Sequence, residues 1–177
     1  MKRAYQKLLE YALKILSKKR YTERKIREKL EQFFKKLETR LKKESDSLFS
    51  GFTVEEKEKI FEEVIARLYE LKYLDDEAFA KDYIHNRMAL KPRGKFLLKR
   101  ELRLKGLNLE TIEAALNAIE IDEAFAAETV LKKYHKKLAK FDGIARKNRA
   151  YQLLASRGFN HDAIYKAVDS CYTHLAE

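Results

Sequence analysis

Proline occurs once and glycine five times in 177 residues. A β-rich chain of this length needs many turns, and turns draw on Gly, Pro, Asn and Asp. The shortage of both, beside abundant Leu, Lys, Glu, Ala and Arg, argues against a sandwich or barrel and predicts an all-α protein. Cysteine is also single, at Cys171, which excludes an internal disulfide and fits a reducing compartment. No apolar run approaches the roughly 20 residues that cross a bilayer. The opening "MKRAYQKLLEYALKIL" has no small-residue cleavage site. These absences predict a soluble, cytoplasmic protein.

Catalytic signatures are missing too. No two of His85, His135, His161 and His174 have the spacing of a helical zinc pair. There is no phosphate-cradling glycine loop and no G-x-S-x-G elbow. Asp75, Asp76 and Glu77 form a carboxylate cluster, but Asp at a helix start is first of all a cap. Cys171 reads as a small core residue rather than a nucleophile. The sequence predicts no enzyme, no metal and no cofactor.

What it has in excess is positive charge. The formal net charge is +11, with 39 Lys and Arg against 28 Asp and Glu. Residues 1–50 hold 16 bases against 7 acids, whereas 51–74 hold 4 against 6. Such an excess attracts nucleic acid, anionic membrane or an acidic protein.

It also has repeats. The letters DEAFA occur at 76–80 and again at 122–126, an offset of 46. "LRLKGLNLETIEAAL" at 102–116 matches "LASRGFNHDAIYKAV" at 154–168 at an offset of 52, Gly106 falling on Gly158 and Asn108 on Asn160. Glycine closes one helix in the left-handed conformation and Asn caps the next. A third, diverged copy has Gly51, then Thr53 and Glu56 at capping-box spacing.

The repeats predict three stacked three-helix units, at 1–72, 73–120 and 121–177, forming an elongated, curved array. The first unit has an extended second helix, running to about Glu44, and a loop, together spanning about 31–52. Within DEAFA, Asp75 or Asp76 caps the helix and Phe79 with Ala80 begins its buried stripe; Asp122, Phe125 and Ala126 repeat this.

Three basic segments stand out, at 17–30, 91–105 and 132–149, and two of them fall on comparable places near the start of a second helix. "KPRGKFLLKRELRLK" at 91–105 carries seven bases and one acid, and 132–149 carries eight and one. In the segment at 91–105 Phe96, Leu97, Leu98, Leu102 and Leu104 form the expected apolar face. Lys95, Lys99, Arg100, Arg103 and Lys105 are the expected contact residues for a DNA backbone or acidic protein, with Arg146, Lys147 and Arg149 as a neighbouring patch. Lysine-rich faces position a backbone and do not read bases. At 23–44 interspersed glutamates make a solvated face of helical ion pairs the better reading.

At "YLDDEAFAKDYIHNRMALKPRGKFLLKRELRLKGLN" (73–108) the chain resembles the bacterial RecX family, regulators of the RecA recombinase. The resemblance rests on Leu74, Asp75, Asp76, Phe79, Ala80, Tyr83, Arg87, Gly94, Glu101, Leu102, Lys105 and Gly106. It extends more loosely to "YALKILSKKRYTERKIREKL" and to "RGFNHDAIYKAV", around Gly158. It implies three tandem three-helix units and a modulator that binds RecA–DNA filaments and inhibits recombinase and ATPase activity. Partners would be the RecA filament and, weakly and electrostatically, single- or double-stranded DNA, but no membrane. No sustained heptad seam demands a dimer, so a monomer is expected. Two departures stand out: Lys72 replaces the family's Gly before Y-L-D-D, and the first unit is longer. The alternative is a basic helical DNA-binding protein acting without RecA.

Overall fold

The structure, a computed structural model, describes residues 2–41 and 51–172. Among the described residues there are nine helices and no strand. They are α1 (Lys2–Leu16), α2 (Glu23–Leu41), α3 (Val54–Glu70), α4 (Asp76–Leu90), α5 (Lys95–Leu104), α6 (Leu109–Ala118), α7 (Glu123–Leu138), α8 (Gly143–Ser156) and α9 (His161–Tyr172). The all-α reading and its helix triplets hold. Helix α2 is followed to Leu41; its expected continuation to Glu44 and the loop before Gly51 lie outside the described residues.

Each helix buries one stripe. Helix α1 buries Ala4, Leu8, Ala12 and Leu16, one per turn. The first helices of the three triplets share a small residue followed one turn later by a large one: Ala4 and Leu8, Ala80 and Ile84, Ala127 and Leu131, all buried. The second helices bury Ile26 and Leu30, Leu98 and Leu102, Ala150 and Leu154. The chain divides into two compact lobes, one of residues 1–79 with 105–107, the other of 80–104 with 108–177. In the first, Ile60, Val64 and Leu68 of α3 close a core with α1 and α2. In the second, α7, α8 and α9 form a core against which Met88 and Cys171 pack partly buried.

Caps follow the predicted chemistry. Thr53 Oγ1 accepts the Glu56 N–H at 3.2 Å, and Glu56 Oε2 accepts the Thr53 N–H at 3.0 Å. Asn108 and Asn160 accept first-turn N–H groups of α6 and α9, each at 2.7 Å. Lys72 adopts φ 57°, the left-handed conformation that a glycine takes without strain. The turn before Tyr73 thus keeps a glycine geometry, at a cost of about 1–2 kcal/mol.

The literal DEAFA repeat is one residue out of structural register. Asp75, not Asp76, caps α4, accepting the Ala78 N–H at 2.8 Å, and Asp122 caps α7 by accepting the Phe125 N–H at 2.9 Å. Asp75 therefore corresponds to Asp122, Asp76 to Glu123, and Ala80 to Ala127. Phe125 is consequently 66% exposed, against the expectation that it begins the buried stripe; Ala126 and Ala127 begin it instead.

The true register exposes a joint used twice. In the first lobe Asp76 Oδ1 accepts the backbone N–H of Glu23, the first residue of α2, at 3.0 Å. In the second lobe Glu123 Oε1 accepts the backbone N–H of Lys95, the first residue of α5, at 2.5 Å. A carboxylate opening one triplet thus caps the second helix of the triplet before it. Beside each cap a glycine turn docks. Thr22 Oγ1 donates to the carbonyl of Lys105, next to Gly106, at 2.7 Å. At the equivalent place Gly94 N–H donates to the carbonyl of Arg157, next to Gly158, at 3.0 Å. Here two backbones touch: a Cβ on Gly94 would lie 1.9 Å from the Gly158 oxygen.

Two outcomes are expected. Gly94→Ala drives a methyl into main-chain atoms and lowers the unfolding free energy by roughly 2–4 kcal/mol in urea denaturation. Gly51→Ala meets nothing within 4 Å and loses only the milder cost of its positive φ, about 1–2 kcal/mol. The second outcome concerns pH. Burial lifts the Asp76 carboxyl above the ordinary aspartate range; the Glu23 N–H opposes this, while the Glu23 and Asp75 carboxylates add to it. The folded chain holds that proton more tightly than the unfolded one, so stability falls as pH rises through the raised value. Asp76→Asn flattens this fall just above the usual aspartate range, measured as urea midpoint against pH.

Candidate functional site

Helix α5 is ten residues long and turns Leu98 and Leu102 inward. Its one acid, Glu101, goes inward with them, its side chain only 16% exposed. Glu101 Oε2 accepts the Tyr83 hydroxyl at 2.8 Å and lies 3.3 Å from Arg87 Nε; Oε1 lies 3.0 Å from Arg93 Nη1. The Tyr83 hydroxyl in turn accepts the Arg87 Nε–H at 2.9 Å. That bond and the Glu101 charge hold Arg87 more firmly protonated than an ordinary arginine. Arg87 and Glu101 are thus fasteners between α4 and α5, and the acid is withdrawn from the outer surface.

The remaining charges of α5 divide by their positions on the helix. Lys99 is half-buried and pairs with Glu113 of α6. Lys95, Arg100 and Arg103 are exposed on α5, and Lys105 is exposed in the turn after it. The apolar face differs from expectation. Phe96 is 74% exposed and Leu104 77% exposed, on the same outer side as Arg100. The reason is spacing: Phe96, Arg100 and Leu104 recur every four residues, opposite Leu98 and Leu102. That signal was present in the sequence, but a list of apolar letters hides it.

The second basic patch is partly engaged. Arg146 folds back onto the end of α7, Nε donating to the Phe141 carbonyl at 2.8 Å and Nη2 to the Ala139 carbonyl at 3.4 Å. Arg149 lies over the Phe141 ring, 5.2 Å from its centroid, and Lys147 is half-buried. Arg146 and Arg149 thus fasten the α7–α8 link. The exposed cations of that segment are Lys132, Lys133, Lys136, Lys137, Lys140 and Arg149. Among the described residues no group of three or more His, Cys, Asp or Glu is placed to hold a metal. Nor, among them, is any helix long and apolar enough to cross a membrane.

Comparison with known proteins supplies the family. Residues 75–116 match the second three-helix domain of RecX, and residues 122–168 match its third three-helix domain. A regulatory protein RecX from Pectobacterium atrosepticum is 32% identical over 172 residues, covering 97% of this chain and 99% of that protein. The chain belongs to the RecX family. Its RecX relative from Leuconostoc mesenteroides is 34% identical over 66% of this chain, and that from Bacillus subtilis is 36% identical over 62%. The chain spans less than half the length of these two, 44% and 42% respectively. The crystal structure of RecX from Lactobacillus salivarius shares the fold, with a TM-score of 0.74 at 19% identity over 96% of this chain and 97% of that one. The RecX relatives are named as regulatory proteins, and α5, Gly94 and Glu101 fall within the second-domain match.

Separating fasteners from surface charges yields a stability test. Glu101→Ala removes the shared acceptor of Tyr83 and of two part-buried arginines and lowers the unfolding free energy by roughly 1–3 kcal/mol. Glu113→Ala removes a half-exposed pair and changes it by less than about 1 kcal/mol in the same urea titration.

Proposed function

We propose that this RecX-family chain binds RecA–DNA filaments and lowers their recombinase and ATPase activity, working in the cytoplasm as a monomer. The observation that carries the reading is the outer face of α5. Arg100 and Arg103 are exposed there while the helix's one acid is turned inward. An all-cationic face attracts acidic protein surface or DNA backbone over a Debye length of about 8–10 Å. Of the eight proposed contact residues, Lys95, Arg100 and Arg103 are the strongest. Lys99, Arg146 and Arg149 also serve the fold, and Lys105 and Lys147 complete the set. Exposed cations at 133, 136 and 140 supply the weak, electrostatic affinity for DNA. The same run of eight bases and one acid at 132–149 supports the second reading, a DNA-binding protein that acts without RecA.

ATPase of cognate RecA filaments on single-stranded DNA, with this protein added after assembly, tests the reading. Saturable inhibition below one protein per RecA is expected. Arg100→Glu with Arg103→Glu raises the half-inhibitory concentration by about tenfold or more, with the helical circular-dichroism signal unchanged. No effect of the wild-type protein on the filament, with tight salt-sensitive DNA binding by the same sample, selects the second reading.

A further inference from the structure

The outer face of α5 has a composition that the fold does not require. Aligning the second helices on their buried pairs places Phe96 opposite Arg24 of α2 and Asn148 of α8. Arg100 corresponds to Glu28 and Gln152, and Leu104 to Gln32 and Ser156. Five of the six counterparts are exposed or uncharged polar positions of the kind expected at a solvated surface, and none is apolar. The same chain therefore builds this helix twice with a polar outer row and once with Phe–Arg–Leu. The two apolar side chains, 74% and 77% exposed, stand about 12 Å apart along the helix at 1.5 Å per residue. Arg100 and Arg103 lie between them.

We infer that this face of α5 is a protein-docking helix, with Phe96 and Leu104 as its apolar anchors, and that it seats in an apolar groove with carboxylates along its middle. The inference deepens the proposed function and rests on it: the groove belongs to the recombinase, and nucleic acid is met elsewhere. Anchors spaced at i, i+4 and i+8 are how an amphipathic helix reads a groove, and aromatic and Arg residues dominate the energetics of such contacts. A single-stranded nucleic acid would use Phe96 for stacking and the arginines for phosphate, but it gives an exposed Leu104 no partner. A second copy of the chain brings a net charge of +11 and the same cationic row, so charge complementarity selects an acidic partner instead.

The full chain carrying Phe96→Ser and Leu104→Ser tests this, since neither side chain is buried and helicity should not change. Two titrations are compared with wild type: inhibition of ATPase on preformed RecA filaments, and fluorescence-anisotropy binding to a single-stranded oligonucleotide over a range of salt. The expected result is a rise of about tenfold or more in the half-inhibitory concentration, with DNA affinity changed by less than about twofold and its salt slope unchanged. Parallel losses in both assays overturn the inference in favour of base stacking. Unchanged inhibition overturns it and leaves the proposed function standing on the arginines. A wild-type protein without effect on the filament removes the proposed function, and this inference with it.

Discussion

The first N–H of α5 is satisfied by a carboxylate from the next triplet, Glu123, and much of the second lobe follows from that bond. Glu123 is 7% exposed, so its charge is tolerable only with partners on both oxygens. Oε1 accepts from Lys95 and Oε2 accepts from the Asn160 side-chain amide, whose own oxygen caps α9. One side chain thus ties together the starts of α5, α7 and α9. The Gly94–Gly158 contact sits beside it and sets how near the two turns approach. A Cβ on Gly94 would lie 1.9 Å from the Gly158 oxygen, and one on Gly158 2.5 Å from Leu97 Cβ, so both positions require glycine at this approach. The first lobe repeats the joint with a shorter acid, Asp76, and with a threonine hydroxyl in place of the glycine amide.

A joint made of caps and turns leaves helix sides free. Helix α5 spends its inward side on Leu98, Leu102 and Glu101 and its first turn on the joint, which leaves Phe96, Arg100, Arg103 and Leu104 with no structural duty. The position of Glu101 matters as much as that of the arginines. An acid on the outer row would neutralise the face, whereas here it anchors Arg87 and Arg93 from within. Fold and surface charge are therefore separated on one ten-residue helix.

Much of this was legible in the sequence, and the failures have physical causes. Helix content, the Thr53 capping box and the Asn caps are readable because they depend on residues within four positions of each other, and the triplets because their Gly–Asn turns recur along the chain. Gly106 and Gly158 were readable as left-handed turns, and they take φ values of 94° and 75°. Gly94 is legible only through the family resemblance, because its reason is a contact 64 residues away that no local pattern encodes. The DEAFA repeat misled for a related reason. Identical letters align Asp76 with Asp122, but the buried pairs Ala80–Ile84 and Ala127–Leu131 align Asp76 with Glu123. Burial, not identity, sets the register. The same holds for α5, where apolar letters alone group Phe96 and Leu104 with Leu98 and Leu102 on one face, and their angular position puts them on the opposite side.

The third triplet shows what happens to the joint when no triplet supplies its other half within the described residues. Helices α2 and α5 begin three residues before their first buried position, at Ile26 and Leu98, whereas α8 begins at Gly143, seven residues before Ala150. The extra turn occupies the place that the opening acid of a following triplet takes in the other two. At the position of Gly94, the Arg146 N–H donates within the helix to the Asp142 carbonyl at 3.0 Å rather than to a neighbouring turn. The Arg146 side chain then closes the end of α7. One added helical turn therefore consumes within α8 the first-turn donors that α2 and α5 offer to the next triplet.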